Sequence, residues 1–341
     1  MADGNGDRLK KFLTNASLAV ASIILVLAVT EGALRSARIY KDISKGRKVC
    51  RLSSNPRIGF EFIPGFTWKW LHVNSYGFRG PDFGQIKPEN VFRIVVLGDS
   101  IAVAPYLPEE HLFANVLARK LNGNAPKTVR YEVLNAAVGG YDTWQELEVY
   151  KEKVRALKPD LVILGICQND FVKNGNLSTD WAGIVRGDLD VDESGEKLAA
   201  DIMIYRKIKQ AIRTLNLANA SKEDAGRYLA QLAPTLSKLW NEGGKPLAEL
   251  SLALKNDGVK SLFVIFPYKF QMTESGRRSS DERFMEFCEQ ANQPCLDLFD
   301  VYRSNSDDLY IKNDHIHPSV KGHEITAEAI YRRIKDAGFI E

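Results

Sequence analysis

The feature that most constrains the fold is an apolar run that stops abruptly at a small polar turn. Residues 91–97 (VFRIVVL) end in four consecutive apolar side chains, and Gly98, Asp99 and Ser100 follow directly. Such a run predicts a strand buried on both faces, as in a parallel sheet. Ligands bind at the carboxyl ends of such strands, so Ser100 is a candidate nucleophile. On this stretch alone, a plain turn is the simpler interpretation.

Strand and helix patterns alternate along the chain after residue 90. Strands are predicted at 91–97, 130–134, 160–165, 261–266 and 295–298, and helices at 110–122, 143–157, 245–256, 280–291 and 319–337. This alternation predicts the α/β class, with a parallel sheet and helices on both faces. The alternation of strands and helices is interrupted at about 172–243, where only helical patterns occur. We expect a helical insertion there, on the side of the sheet where a lid or substrate wall would lie.

A membrane segment is predicted near the N-terminus. Residues 12–30 carry no charge and are densest in apolar side chains between Leu18 and Val29, which is close to the length that crosses a bilayer. We expect a tail at 1–11 and an uncleaved transmembrane signal anchor at 12–33. A cleavable secretory signal and a core helix are the alternatives. The anchor is favoured because the run is long for a signal core and no clean cleavage site precedes Glu31.

Charge counting leaves the orientation of this anchor open. Three basic residues precede the apolar run, and six follow it within twenty residues: Arg35, Arg38, Lys41, Lys45, Arg47 and Lys48. By the positive-inside rule this excess argues against export of the C-terminal part. We nevertheless expect a single-pass membrane protein whose main domain is extracytoplasmic, and we keep the opposite orientation as the alternative.

Composition excludes several functional classes. The chain has 341 residues, of which 45% are hydrophobic, and a formal net charge of +3. These values are typical of a folded globular protein, and without a basic surface rich in aromatics no nucleic acid partner is expected. The four cysteines lack metal-binding spacing, so no metal and no cofactor are expected. Cys288 and Cys295 are candidates for pairing in an oxidising compartment.

Residues 34–90 are predicted to form a connecting arm. They are rich in basic, aromatic, Gly and Pro residues and show little sustained periodicity. The aromatic residues between Phe66 and Trp70 suit either contact with a membrane surface or packing onto the main domain. Packing onto the domain is the favoured interpretation.

Three further polar segments belong to the same sheet edge as Ser100. Residues 135–143 (NAAVGGYDT) follow one predicted strand, residues 165–170 (GICQND) end the next, and residues 313–318 (NDHIHP) precede the last helix. The carboxyl ends of parallel strands meet at one edge, so these segments are expected to lie near the serine. Each segment alone is also compatible with ordinary turns or caps.

The four segments in this order resemble the SGNH, or GDSL-like, hydrolase family, including its membrane-anchored bacterial members. The family's Ser, Gly, Asn and His match Ser100, Gly140, Asn169 and His317. The resemblance covers about residues 90–341 apart from the insertion. It implies a three-layer α/β/α flavodoxin-like sheet and a hydrolase domain at 91–341.

One stretch departs from the family pattern. The first family block commonly continues with a Thr and a Gly shortly after the serine, whereas residues 101–105 here are IAVAP. The departure affects the local shape beside the nucleophile and hence the expected substrate preference.

The resemblance also implies a mechanism. A serine hydroxyl needs a base to take its proton, and an imidazole that titrates near neutrality suits this task, so His317 is the expected base and Ser100 the nucleophile. Asp314 would orient and stabilise that imidazole. The oxyanion hole would comprise the backbone N–H groups of Ser100 and Gly140 and the side-chain amide of Asn169.

Neighbouring polar residues receive other interpretations. Asp99 and Asp170 are expected to support the loops by hydrogen bonds rather than to react. His315 competes with His317 as the base, but His317 fits the D-x-x-H-P pattern. Asp314, His315 and His317 also suggest metal ligands; we discount a metal because no further His or Cys cluster accompanies them.

The expected activity is that of a serine esterase or deacylase acting on an O-acyl ester of a lipid or an acylated glycan. An O-acyltransferase that uses the same serine on a cell-surface glycan is one alternative. A catalytically silent binding or assembly protein is the other, although it predicts decay of the nucleophile or base, and Ser100 and His317 are both present. The expected partners are the acyl-ester substrate and, through residues 12–33, the membrane.

Overall fold

The computed structural model describes most of the chain after residue 48. It covers residues 49–171 except 127, residue 240, residues 243–272, 279–305, 308–312, 314 and 316–340, and N-terminal residues 14, 15, 17, 22, 25, 26 and 29. These N-terminal residues are helical. Most of the predicted anchor at 12–33 and of the predicted insertion at 172–243 lies outside the described residues. Within the described part, no helix is both long and apolar enough to cross a bilayer.

Two short antiparallel hairpins precede the main sheet. The first consists of β1 (Cys50–Leu52) and β2 (Phe60–Phe62), and the second of β3 (Thr67–Trp68) and β4 (Leu71–His72). The described residues from Val49 onward belong to one compact unit, so this part of the predicted arm joins the unit that holds the sheet. Tyr141 donates a hydrogen bond to the Phe60 carbonyl (2.6 Å), which ties the first hairpin to a loop at the sheet edge.

The main sheet has five parallel strands in the order β6-β5-β7-β8-β9. They are β5 (Val91–Leu97), β6 (Arg130–Asn135), β7 (Leu161–Ile166), β8 (Lys260–Ile265) and β9 (Cys295–Asp297). This is the flavodoxin-like order, in which the first strand of the sheet lies between the second and the third. The predicted α/β class with a parallel sheet is confirmed.

Helices connect these strands and follow the last of them. They are α1 (Ser100–Val103), α2 (Phe113–Asn124), α3 (Thr143–Val149), α4 (243–256), α5 (Ser279–Gln290), α6 (Phe299–Arg303) and α7 (Val320–Asp336). The crossover from β5 to β6 runs in the opposite direction to all later crossovers. Right-handed crossovers in opposite directions place their helices on opposite faces of a sheet, so α2 and α3 lie on different faces. The C-terminal α7 packs on α2, where Lys120 forms an ion pair with Glu328 (2.6 Å).

A disulfide bond joins α5 to the last strand. Cys288 and Cys295 are bonded to each other, with their Cα atoms 6.1 Å apart. Cys50 and Cys167 are buried thiols outside this disulfide. The pairing that the sequence left open is therefore present in the structure.

Candidate active site

The serine lies in a tight turn that only glycine permits. Gly98 has a φ of 147°, and a Cβ atom there would lie 2.8 Å from the Cβ of Ala102 and 2.9 Å from the carbonyl oxygen of Gly165. The turn leads straight into α1, where Asp99 is the N-cap and accepts a hydrogen bond from the Ile101 N–H (2.8 Å). Ser100 is therefore held at the carboxyl end of β5, beside β7.

A histidine and a carboxylate complete a hydrogen-bonded chain with this serine. The Nε2 atom of His317 lies 3.0 Å from the hydroxyl oxygen of Ser100, and its Nδ1 atom lies 2.7 Å from Oδ2 of Asp314. In the neutral imidazole, an Nδ1–H that donates to Asp314 leaves Nε2 unprotonated and facing the serine hydroxyl. The structure thus brings together the three residues that the sequence proposes as nucleophile, base and orienting carboxylate.

The loop before α7 fixes the carboxylate locally. Oδ1 of Asp314 accepts hydrogen bonds from the N–H groups of Ile316 (2.8 Å) and His317 (3.0 Å), while Oδ2 accepts from the imidazole. The spacing of three residues between Asp314 and His317 allows one carboxylate to bind both the backbone and the ring. The competing candidate, His315, lies outside the described residues.

The charges of this pair shift both pKa values. Burial lowers the pKa of His317, but the hydrogen bond and negative charge of Asp314 outweigh burial, so the pKa lies above the usual 6.5. For Asp314, burial raises the pKa, but the hydrogen bonds from His317 and the backbone prevail and lower it to about 2. Asp314 therefore stays ionised over the whole range in which His317 titrates.

The predicted oxyanion residues lie on loops that flank the serine. Gly140 follows β6 and has a φ of 83°, a left-handed conformation that favours glycine. The loop that carries it is tied to the nucleophile turn, because the Val138 N–H donates to the Gly98 carbonyl (3.1 Å). Asn169 lies in the 3-10 turn Gln168–Phe171 after β7, and its side chain lies outside the described part.

The two aspartates that the sequence predicts as loop supports are both buried. Oδ2 of Asp99 lies 3.2 Å from the Ser100 hydroxyl, and Oδ2 of Asp170 accepts a hydrogen bond from the Cys167 N–H (2.8 Å). Asp99, Cys167 and Asp170 each place one possible metal-ligand atom within 4.8 Å of the others. Burial and the neighbouring carboxylates raise the pKa of both the Cys167 thiol and the Asp170 carboxyl.

Three further residues near the site were not predicted. Tyr106, in the loop after α1, packs its ring against that of His317, with ring centroids 5.3 Å apart. Arg79, only 3% exposed, donates hydrogen bonds to the carbonyls of Val103, Ala104 (2.6 Å) and Leu107 (2.6 Å) and so holds this loop from beneath. The signal that could have drawn attention to Arg79 is the NSYGFRG sequence at 74–80.

The third is a buried acid on α3. Glu146 is fully buried, and among the described residues neither of its carboxylate oxygens has a hydrogen-bond partner. Burial, with the charges of Asp99 and Asp142, raises the pKa of Glu146 well above its usual value. An unpaired charge on this carboxyl group would be costly there, which is the direction of the shift.

A doubly wound parallel sheet with a hydrogen-bonded serine, histidine and aspartate at its carboxyl edge is a serine-hydrolase type of scaffold. The sequence pattern of the GDSL-like lipase/acylhydrolase family matches residues 96–325. The chain belongs to this family.

No curated protein sequence matches the chain significantly, but solved structures do. An acetylxylan esterase from Geobacillus stearothermophilus is 16% identical, with a TM-score of 0.44 over 71% of this chain and 93% of that one. The psychrotrophic esterase EstA from a Pseudoalteromonas species is 15% identical, with a TM-score of 0.42 over 72% and 98%. A lipase/acylhydrolase from Enterococcus faecalis is 14% identical, with a TM-score of 0.42 over 72% and 96%.

Proposed function

We propose that this protein is a serine esterase of the carboxylesterase type that removes an O-acyl group from a lipid or an acylated glycan. The observation that carries the proposal is the contact between the Ser100 hydroxyl and Nε2 of His317 (3.0 Å), with Asp314 on the other ring nitrogen (2.7 Å). A catalytically silent binding protein would not require these three hydrogen-bonded residues, whereas an enzyme that transfers acyl groups does.

The reaction proceeds in two acyl transfers. The Ser100 oxygen attacks the ester carbonyl while its proton passes to Nε2 of His317, which then protonates the departing alcohol oxygen as the C–O bond breaks. A water molecule next gives its proton to His317 and attacks the acyl-serine ester. The acid is released, and the proton returns to Ser100. Asp314 keeps its negative charge throughout and stabilises the imidazolium.

The negative oxygen of each tetrahedral intermediate requires hydrogen-bond donors. The backbone N–H groups of Ser100 and Gly140 and the side-chain amide of Asn169 are the proposed donors. The left-handed conformation at Gly140 supports this role, because it lets the backbone turn there without a side chain in the way. Loss of one such donor typically costs about 10²- to 10³-fold in turnover.

Covalent labelling tests the assignment of the nucleophile. We expect a fluorophosphonate to modify the purified full chain at Ser100, as mapped by peptide mass spectrometry, because the activated hydroxyl attacks phosphorus as it attacks a carbonyl. Modification of a different serine would contradict the assignment. Product analysis with and without an acylatable oligosaccharide then distinguishes hydrolysis from transfer, because an acyl-enzyme passes its acyl group to either water or sugar.

We further propose that this family member is anchored through residues 12–33 and that its compact unit faces an extracytoplasmic compartment. The uncharged run at 12–30 supports the anchor. The Cys288–Cys295 disulfide supports the orientation, since such bonds form and persist in oxidising compartments and are rare in the cytosol.

Counting thiols in cells tests this orientation. After acid quenching and denaturation, a maleimide–polyethylene glycol reagent is expected to add to two cysteines, Cys50 and Cys167, and to four after chemical reduction. A gel shift of the full chain reports the number. The Cys288→Ser, Cys295→Ser variant serves as the control and should show two additions under both conditions. Four additions without reductant would place the unit in a reducing compartment.

A further inference from the structure

Two half-exposed tryptophans stand at the tip of the second hairpin. Trp68 and Trp70 are 49% and 51% exposed. Between them Lys69 adopts a left-handed conformation with a φ of 51°, and its Nζ lies 4.7 Å from the centroid of the Trp68 ring. We call residues 68–70 the tryptophan tip. An exposed pair of large aromatic rings with a lysine is the composition found at the headgroup level of membranes.

The tryptophan tip lies near the point where the chain enters the compact unit. The carbonyl of Val49 accepts from the Ile63 N–H (2.9 Å), the carbonyl of Ile63 from the Phe66 N–H (3.1 Å), and the carbonyl of Phe66 from the Val73 N–H (2.8 Å). This series leads from the entry point to the base of the hairpin. The segment from the predicted anchor to this point, residues 34–48, spans at most about 50 Å when extended.

The tip is also linked to the loop beside the active site. The Nη2 atom of Arg79 donates hydrogen bonds to the carbonyls of both Trp70 (2.7 Å) and Leu107 (2.6 Å). On the next strand, Nδ1 of His72 lies 2.9 Å from a carboxylate oxygen of Glu109. The loop held in this way carries Tyr106, whose ring packs on that of His317. The tip is therefore joined, through Arg79 and this loop, to the residue whose ring packs on the proposed catalytic base.

We propose that the tryptophan tip inserts into the headgroup region of an anionic phospholipid surface and that the enzyme takes acyl esters presented at that surface. The six basic residues at 35–48 place positive charge between the predicted anchor and the entry point, and anionic headgroups attract such charge. The ammonium group of Lys69 covers one face of the Trp68 ring, so that face is not open as a flat platform for a sugar. This assignment of substrate class rests on the proposed esterase function.

Fluorescence quenching in vesicles tests the lipid contact. The full chain is reconstituted in vesicles of phosphatidylcholine and phosphatidylglycerol, with and without bromine on the acyl chain near the headgroup. All five tryptophans lie after residue 67, so the predicted anchor contributes no signal. We expect the bromolipid to quench the wild-type emission and expect this quenching to be lost in Trp68→Ser, Trp70→Ser. The matched control is Leu252→Ser, which removes a 59% exposed apolar side chain from α4 and should leave quenching unchanged.

Two ester substrates separate this inference from the proposed function. The double variant is expected to keep hydrolysing a water-soluble p-nitrophenyl ester and to lose hydrolysis of a fluorogenic acyl ester embedded in the vesicles. If the wild type hydrolyses neither ester, the esterase proposal fails, while the quenching still decides the lipid contact. Absence of wild-type quenching, or equal quenching in the double variant, overturns the inference. Unchanged quenching with lost activity on a soluble acylated oligosaccharide would also overturn it, in favour of a sugar subsite.

Discussion

Replacing Ser100 with alanine is expected to lower the turnover of a p-nitrophenyl ester by about a millionfold, as removal of the nucleophile does in well-studied serine hydrolases. The variant loses the oxygen that forms the acyl-enzyme, and His317 is left without the proton that it takes. The binding surface and the proposed oxyanion donors remain, so some turnover above the uncatalysed rate persists. Steady-state rates of the purified full chain give the comparison.

The control for this substitution is Ser304→Ala. Ser304 lies on the exposed segment after α6, where its hydroxyl donates to the Asp300 carbonyl (2.7 Å), so its loss should leave the rate unchanged. Equal rates for Ser100→Ala and the wild type would mean that another residue performs the chemistry. Matching unfolding curves for the three proteins show that the rates compare folded enzymes.

The second large effect is expected from Asp314→Asn, with turnover reduced by about 10⁴-fold. An asparagine at this position can hold the wrong tautomer of His317, with the proton on the nitrogen that faces the serine. It also removes the negative charge that stabilises the imidazolium formed during the reaction. Rates are measured over a range of pH, so that loss of turnover and change of pKa are separated.

The sign of the pH effect follows from the proposed role of His317 as a base. The imidazole works only when neutral, so kcat/KM falls as the pH drops through its pKa. Because Asp314 holds that pKa above 6.5, the wild-type acid limb is expected above pH 6.5. In Asp314→Asn, burial still lowers the pKa of His317 while the charge of Asp314 no longer raises it, and the acid limb moves to lower pH. The control is Asp336→Asn, at the exposed end of α7, which should leave the acid limb of kcat/KM at its wild-type pH. An acid limb that stays at the wild-type pH in Asp314→Asn would contradict the pairing of Asp314 with His317.

The sheet could be predicted from the sequence because its three central strands are short apolar runs that are almost entirely buried. Val91–Leu97 was predicted with its observed bounds, and the other four strands differ by one residue at most at each end. Helix starts and irregular turns were harder. The predicted helix at 110–122 begins only at Phe113, because Glu109–His111 forms a 3-10 turn and Leu112 is extended. The predicted helix at 143–157 becomes a π-helix at Tyr150–Val154, which apolar periodicity does not reveal.

The site was predictable to the extent that each residue follows a strand or precedes a helix at one sheet edge. Ser100, Asp314 and His317 come together because the topology brings their segments to that edge. The contributions of Arg79 and Tyr106 could not be derived in the same way. Arg79 acts through carbonyl groups, which every residue possesses, and its pairing with the loop after α1 depends on how the hairpins pack. No residue pattern in that loop marks it as a partner for an arginine.

The close approach of Gly98 to the Gly165 carbonyl has an evolutionary consequence. The nucleophile turn is set against the neighbouring strand by backbone atoms, with no side chain between them. Substitutions on the loops that meet the substrate can therefore accumulate without displacing the serine. A scaffold built in this way can diversify its specificity while its reaction stays the same.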